Sequence, residues 1–320
     1  MASPEPSSSL SSLSDYPEDD LGADIQDEAK MLEDVKTAYA SGKPWFKKET
    51  IEKAAKAIAE NADSVELEDV NGKLQRHEVK YSFGSTKPMM PFIYYNSYES
   101  LTNPAPYECI EKASAVNIYW REPMPPPECT IGDMKAALAR HTDAWKRHSS
   151  ASHDRLVQAI TSARAQLARC KVVCLGLGSP SHMLRAGSSS SSGGDADTGV
   201  ATAESRCYTQ HAVVLEIVRT MIAGPVAESG PAAVLVQDPT YTDLDVLFLA
   251  QLGFTVVDDP AAFLALDDHT FVISVACNVP QKQIVADLAR PVAVMWNEVE
   301  GEDKESQKGW ETRPDGSYFA

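Results

Sequence analysis

The residues best placed for chemistry lie in the run KVVCLGLGSPSHML, Lys171 to Leu184. An apolar stretch ends in Gly176-Leu177-Gly178, and Ser179 follows at once. A serine on such a turn has two functional readings and one structural reading. With an exposed hydroxyl and neighbouring N–H groups to hold an oxyanion, Ser179 can accept an acyl group; Ser181 is the second choice, with His182 close enough to assist. With glycines making room, the same loop can cradle a cofactor at a helix N-terminus. In the structural reading, Gly176 and Gly178 permit a sharp turn and the serines satisfy it.

The spacing restricts the cofactor reading. A dinucleotide fingerprint would place a third glycine where Ser181 stands, and an acidic residue about 20 residues on. That acid would be Asp195 or Asp197, inside a low-complexity Ser/Gly run rather than at a strand end. A methyl donor needs less: a glycine loop after one strand and an acid after the next, which Asp238 provides at the end of AVLVQDP. No cofactor is expected. The chain has no HExxH, no paired cysteines and no GxxxxGK[ST], so neither a metal centre nor a P-loop is expected, and the serine is not in a GxSxG elbow.

These residues need a scaffold. The 320 residues suggest about two domains. Residues 1–24 are acidic, rich in Ser and Pro, and expected to be a disordered tail. Residues 25–148 read as a mixed helical and hairpin region: helices over 25–39 and 48–61, a hairpin around Asn71-Gly72, and a proline- and tyrosine-rich covering layer over 84–130. From Thr130 two helices follow, and then strands alternate with helices. Strands are expected at 172–177, 232–237, 255–258, 271–275 and 292–296, with helices at 210–222, 242–252, 261–266 and 281–288. Continuously apolar strands alternating with helices indicate a parallel sheet covered on both faces. The fold class is therefore α/β: a Rossmann-like three-layer domain with a mainly parallel sheet over 149–300, followed by a polar tail at 301–320. No stretch is apolar over about 18 residues, the N-terminus resembles neither a secretory nor a transit leader, and the six cysteines form no disulfide pattern. A cytoplasmic location is expected. The formal charge of −17 disfavours DNA and anionic membrane as partners.

The segments VCLGLGSPS, YTQHAVVLEIV, VLVQDPTYTDLDVLFLAQLGFTVV, FVISVACNVPQKQIV and PVAVMWNEV resemble the domain of the sensitivity-to-red-light-reduced family, with GLGS and DPTYT the most specific parts. Family members often carry a Pro-His-Cys stretch after the fourth strand, where this chain has Cys277-Asn278-Val279-Pro280, so no role for a histidine there carries over. The resemblance implies either a regulatory protein without a reaction or, through a fungal branch of similar size and layout, an arginine-containing cyclodipeptide synthase. The latter joins two amino acids taken from aminoacyl-tRNAs into a diketopiperazine.

Such a synthase implies further sites. Between Ile131 and Lys171 eight basic residues face only Asp133, Asp143 and Asp154, giving +5 locally. Lys135, Arg140, Lys146 and Arg147 are the candidates for tRNA phosphates, unless they pair with the acidic remainder of the protein. A guanidinium substrate needs a carboxylate fork; Asp238 and Glu298, which follow strands, are preferred over Glu216 and Asp243. Tyr241 is placed with Ser179 in the catalytic set, to orient a substrate amine. Tyr208 and Gln210, entering the next helix, join Gly176, Gly178, Asp238 and Glu298 as substrate-binding candidates.

Overall fold

Side-chain alternation along one strand sets up the architecture. In β5 (Lys171–Leu175) Val172 and Cys174 enter one hydrophobic core while Val173 and Leu175 enter another. That is the pattern of a strand buried on both faces. The computed structural model describes residues 30–82, 87–102, 113–184, 203–223, 230–275, 277–297 and the backbone of 311–312 and 318–319. The expected N-terminal tail, the Ser/Gly run and Glu298 lie outside the described residues.

Five parallel strands form the main sheet: β5, β6 (Ala233–Gln237), β7 (Thr255–Val256), β8 (Thr270–Ser274) and β9 (Ala293–Trp296), in the order β7-β6-β5-β8-β9. One face is covered by α4 (Ile131–His148), α5 (Ser150–Leu167), α7 (Ala203–Ile222) and α8 (Asp243–Gln251), whose buried residues share a core with Val172, Cys174, Val236 and Ile273. The other face is covered by α9 (Ala261–Leu264), α10 (Gln281–Leu288) and the N-terminal region. The α/β Rossmann-like class is thus observed. Thr130 starts α4 with a reciprocal capping box to Asp133, the T-x-x-D pattern that closes orphan N–H groups at a helix start.

The N-terminal region contains a helix over 30–40 (α1), α2 (Lys48–Ala59), and the hairpin of β1 (Ser64–Glu68) and β2 (Leu74–Glu78). Its turn holds Gly72 at φ +83°, a conformation glycine adopts without strain. The covering layer over 84–130 is more regular than its composition suggests. It contains β3 (Met90–Tyr95), α3 (Tyr98–Thr102) and β4 (Val116–Arg121), with β3 and β4 paired antiparallel. Pro91 lies within β3, and aromatic residues occupy both faces, which hides the period-two signal. A two-stranded ladder has only edge strands, where proline is tolerated.

Two helices also differ from expectation. Helix α7 begins seven residues before Gln210, because Cys207, Tyr208 and His211 form a buried face that no aliphatic spacing announces. The four-residue α6 (Pro180–Met183) was not anticipated.

Candidate functional site

Strand order reverses between β5 and β8, with β6 and β7 on one side of the central strand and β9 on the other. In open parallel sheets ligands bind outside the C-terminal strand ends at that switch point. Three segments meet there: Gly176–Ser179 after β5, Asp238–Tyr241 after β6, and Cys277 after β8.

Close packing explains the glycines. Gly176 has φ +68°, and a Cβ there would sit 2.9 Å from Cα, Cβ and Sγ of Cys277, so no other residue fits without moving the backbone. Gly178, at φ +81°, has Cys207 Sγ 3.4 Å from the position of a Cβ. Its N–H donates to Asp238 Oδ2 at 2.7 Å, while Asp238 Oδ1 accepts from Thr240 N–H at 2.9 Å and Thr240 Oγ1 at 2.6 Å. Asp238 therefore ties the two loops together with both carboxylate oxygens already engaged. This leaves it poorly placed to take a ribose hydroxyl pair, as a methyl-donor site would need, or a guanidinium fork.

Ser179 is wholly buried, against the expectation of an exposed hydroxyl. Its Oγ donates to Asp245 Oδ2 at 2.7 Å and accepts from His182 N–H at 3.2 Å, capping α6. Ser181 is also buried and bonds Asp245 through both its N–H (2.8 Å) and Oγ (2.9 Å). Thr242 completes the network as the N-cap of α8, in a second capping box with Asp245. A buried carboxylate collecting this many donors fixes α6 against the start of α8.

Behind Tyr241 lies His211, fully buried on α7. Its Nδ1 is 2.8 Å from the Cys207 carbonyl, which can only accept, so Nδ1 carries the proton. Nε2 is left as an acceptor, with the Tyr241 hydroxyl 3.5 Å away. Burial holds the imidazole pKa below its ordinary value despite the Cys207 carbonyl and the carboxylates of Asp245 and Asp238, so the ring is neutral near pH 7. Burial likewise raises the Tyr241 phenol and the Cys207 thiol. Tyr208 is buried and donates to the Pro180 carbonyl at 3.0 Å, supporting α6 from below. Gln210 is half-buried two residues on, and residues at that spacing do not share a helix face.

Across the switch point is a group that sequence reading missed. Asp259 accepts from Tyr95 Oη at 3.1 Å and from Gln237 Nε2 at 2.9 Å. Burial raises its pKa to about 6, against the opposing pull of the Tyr95 hydrogen bond and the Arg121 charge. Arg121 approaches this edge from β4, its Nη2 donating to the Pro239 carbonyl at 2.8 Å. Cys277 feels both Asp238 and Asp259, and burial is the main reason its thiol pKa is raised. The only sequence signal for Asp259 was the pair Asp258-Asp259 before Pro260, which reads as a turn.

The basic helices are largely engaged. Arg140 pairs with Glu204 at 2.8 Å, and Lys146 with Glu216 at 2.7 Å, both acids on α7. Lys135 and Arg147 are exposed, and Arg147 Nε donates to the Asp143 carbonyl of its own helix. Asp243 is exposed in the first turn of α8. Among the described residues no group of three His, Cys, Asp or Glu has metal-binding geometry, and no helix is long and apolar enough to cross a membrane.

Comparison with protein families adds one finding: residues 147–317, more than half of the chain, match the model of the SRR1 domain. The chain belongs to the SRR1-domain family. No curated protein and no solved structure matches it. In this SRR1 domain the matched segment begins at the end of α4 and contains the whole parallel sheet, so the switch-point residues Gly176, Gly178, Asp238, Tyr241 and Cys277 all lie within it. Tyr95 and Arg121 lie before it and reach the same edge from the N-terminal region.

Proposed function

We propose that this SRR1-domain chain is an aminoacyltransferase that takes amino acids from aminoacyl-tRNAs and closes two of them, one an arginine, into a cyclic dipeptide. The chemistry is assigned to the C-terminal edge of the sheet. The observation that carries the reading is the neutral imidazole of His211 behind the Tyr241 hydroxyl. Peptide-bond formation from aminoacyl esters needs an α-amine in its free-base form. The Tyr241 oxygen takes a proton from the ammonium as its own proton passes to His211 Nε2. The amine nitrogen then bonds the ester carbonyl carbon and the C–O bond to the ribose breaks. The second amine proton, shed as the amide forms, goes to the ribose oxygen, and the one held on His211 Nε2 returns through Tyr241 to solvent. The same sequence on the other α-amine and ester then closes the ring. In the acyl-serine route the Ser179 oxygen first bonds one ester carbonyl carbon as the C–O bond to the ribose breaks, with Asp245 Oδ2 at 2.7 Å accepting the serine proton and the departing ribose oxygen then taking it. Because Ser179 is buried, that route requires α6 to move aside.

A second reading, a regulatory protein without a reaction, is favoured by the same burial: the Ser179 hydroxyl already serves a helix cap and the Asp245 network. Mass spectrometry of small molecules from a heterologous host expressing only this chain separates the two. An arginine-containing diketopiperazine is expected from the wild type, and none from Tyr241→Phe or Ser179→Ala proteins that remain folded. Product retained in Ser179→Ala replaces the acyl-serine with direct aminolysis. No product from the wild type supports the regulator.

A further inference from the structure

We infer that Arg121, on β4 and outside the matched SRR1 segment, is a positioning residue that holds the Asp238–Tyr241 turn so that the Tyr241 hydroxyl meets His211. The turn is rigid within itself. Asp238 accepts the Tyr241 N–H through its main-chain carbonyl at 3.2 Å and the Thr240 N–H through Oδ1 at 2.9 Å. Bonds of that kind fix the shape of a turn. They do not fix its place in the molecule, which is set by anchors from other elements. Gly178 N–H reaches Asp238 Oδ2 from the β5 loop at 2.7 Å, and Arg121 Nη2 reaches the Pro239 carbonyl from β4 at 2.8 Å. Thr242 and Asp245 hold the chain where it enters α8.

Arg121 is itself held in place. Its guanidinium lies 5.3 Å over the ring of Phe92 on the paired strand β3, within cation–π range, so the long side chain is directed onto the turn. A hydrogen bond from a charged donor is also among the stronger kinds. Beside it β3 braces the residue before the turn. Tyr95 donates to Asp259, Asp259 accepts from Gln237 Nε2, and Gln237 Oε1 accepts the Ala262 N–H at 2.8 Å. The ladder thus reaches both neighbours of Asp238, Pro239 directly and Gln237 through Asp259. What this controls is a contact with no slack. The Tyr241 hydroxyl is 3.5 Å from His211 Nε2, at the far limit of hydrogen bonding, so a small displacement of the turn decides whether the bond forms. The consequence for turnover rests on the proposed chemistry, while the placing of the turn does not.

The test is NMR of the imidazole nitrogens in the full chain, together with amide hydrogen exchange, on the wild type, Arg121→Met and Arg121→Lys. His211 is recognised as the ring that keeps its proton on Nδ1 and does not titrate near pH 7. Arg121 is half-buried and methionine retains an apolar stem, so Arg121→Met should unfold at the wild-type urea midpoint. It should move the His211 Nε2 signal toward that of an imidazole nitrogen without a donor. Amide exchange at Thr240 and Tyr241 should speed up about tenfold, with β5 and β8 unchanged. Arg121→Lys, which keeps a charged donor on a long stem, should restore part of both changes. An unmoved His211 signal in Arg121→Met, equal loss of protection throughout β5 and β8, or a lysine variant no better than methionine would each overturn the inference. Expression of the same proteins in the heterologous host separates this result from the proposed chemistry, with the dipeptide yield of Arg121→Met expected to fall about tenfold or more. A responding His211 signal with no dipeptide from the wild type retains the positioning and removes the chemistry. Full yield from an Arg121→Met protein whose signal has moved retains the positioning and removes Tyr241 from the reaction.

Discussion

At the scale of single residues, Asp259 carries the clearest measurable consequence. Its carboxyl faces Tyr95 and Gln237, with Arg121 and Cys277 within electrostatic reach, and burial raises its pKa to about 6. A raised folded-state pKa means the folded protein prefers the protonated form. The associated stability is fully present below the unfolded value near 4 and is lost as pH rises through about 6. Asp259→Asn removes this titration while keeping the shape. The variant should therefore gain on the wild type between pH 4.5 and pH 7.5, by on the order of 2 kcal/mol. Melting curves at the two pH values check this; the same difference in Tm at both would mean the carboxyl does not titrate as described. Sequence reading singled out Gly176, Gly178 and Asp238, which the structure brings to one strand edge, because glycine and strand-end acids have local signatures; Tyr241 was singled out by its place three residues after Asp238. Asp259, His211 and Tyr95 owe their importance to neighbours 22 to 164 residues away, such as Gln237 and Tyr95 for Asp259, and no local spacing encodes such distances.

Elements built from the same short motif contribute differently according to where they sit. Helices α4 and α8 both begin with T-x-x-D capping boxes, at Thr130–Asp133 and Thr242–Asp245. The first is exposed; in the second Asp245 is wholly buried and also receives Ser179 and Ser181. Thr130→Ala should cost about 1 kcal/mol, the usual loss of a cap. Asp245→Ala should cost roughly 3 kcal/mol or more, since it strands several buried donors. Urea denaturation of the two variants decides the matter: equal losses would mean that the serines add nothing to the cap. Both boxes were legible as helix starts, as were the five parallel strands and their helices. The joining of α6 to α8 through Asp245 was not, and for that reason the serine loop read as an exposed tip. The β3–β4 ladder escaped notice for a different reason, its aromatic residues facing both ways.

For the whole molecule, the sheet divides two cores that draw on different parts of the chain. The face bearing Val173, Leu175 and Val272 is covered in part by α2 and the hairpins, with Phe46, Ile51 and Tyr95 in the same cluster. Specific bonds reinforce this: Asp287 on α10 accepts from the N–H groups of Trp45 and Phe46, and Tyr95 packs on Phe263 with centroids 5.5 Å apart. A fragment of residues 147–320, although it contains the matched SRR1 segment and keeps α9 and α10, would leave the rest of that face uncovered and would lose Met134, Ala137 and Leu138 of α4 from the opposite core. It should bind a hydrophobic dye and unfold without a cooperative transition. A fragment that unfolds cooperatively at the full-length urea midpoint would show instead that the N-terminal region contributes nothing to the fold.

The central strand also governs the order in which this chain can mature. Lys171 in β5 lies opposite Ala233 on one side and Thr270 on the other, so its partners are made 62 and 99 residues later. At typical synthesis speeds of about 5–20 residues per second, both edges of a strand that is apolar from Val172 onward wait for several seconds on the ribosome. Pairings so distant in sequence also close slowly once made. The nascent chain therefore passes through a stage in which an apolar strand is complete and unpaired, and Gly176 can take up its native packing only after Cys277, beyond β8, has emerged.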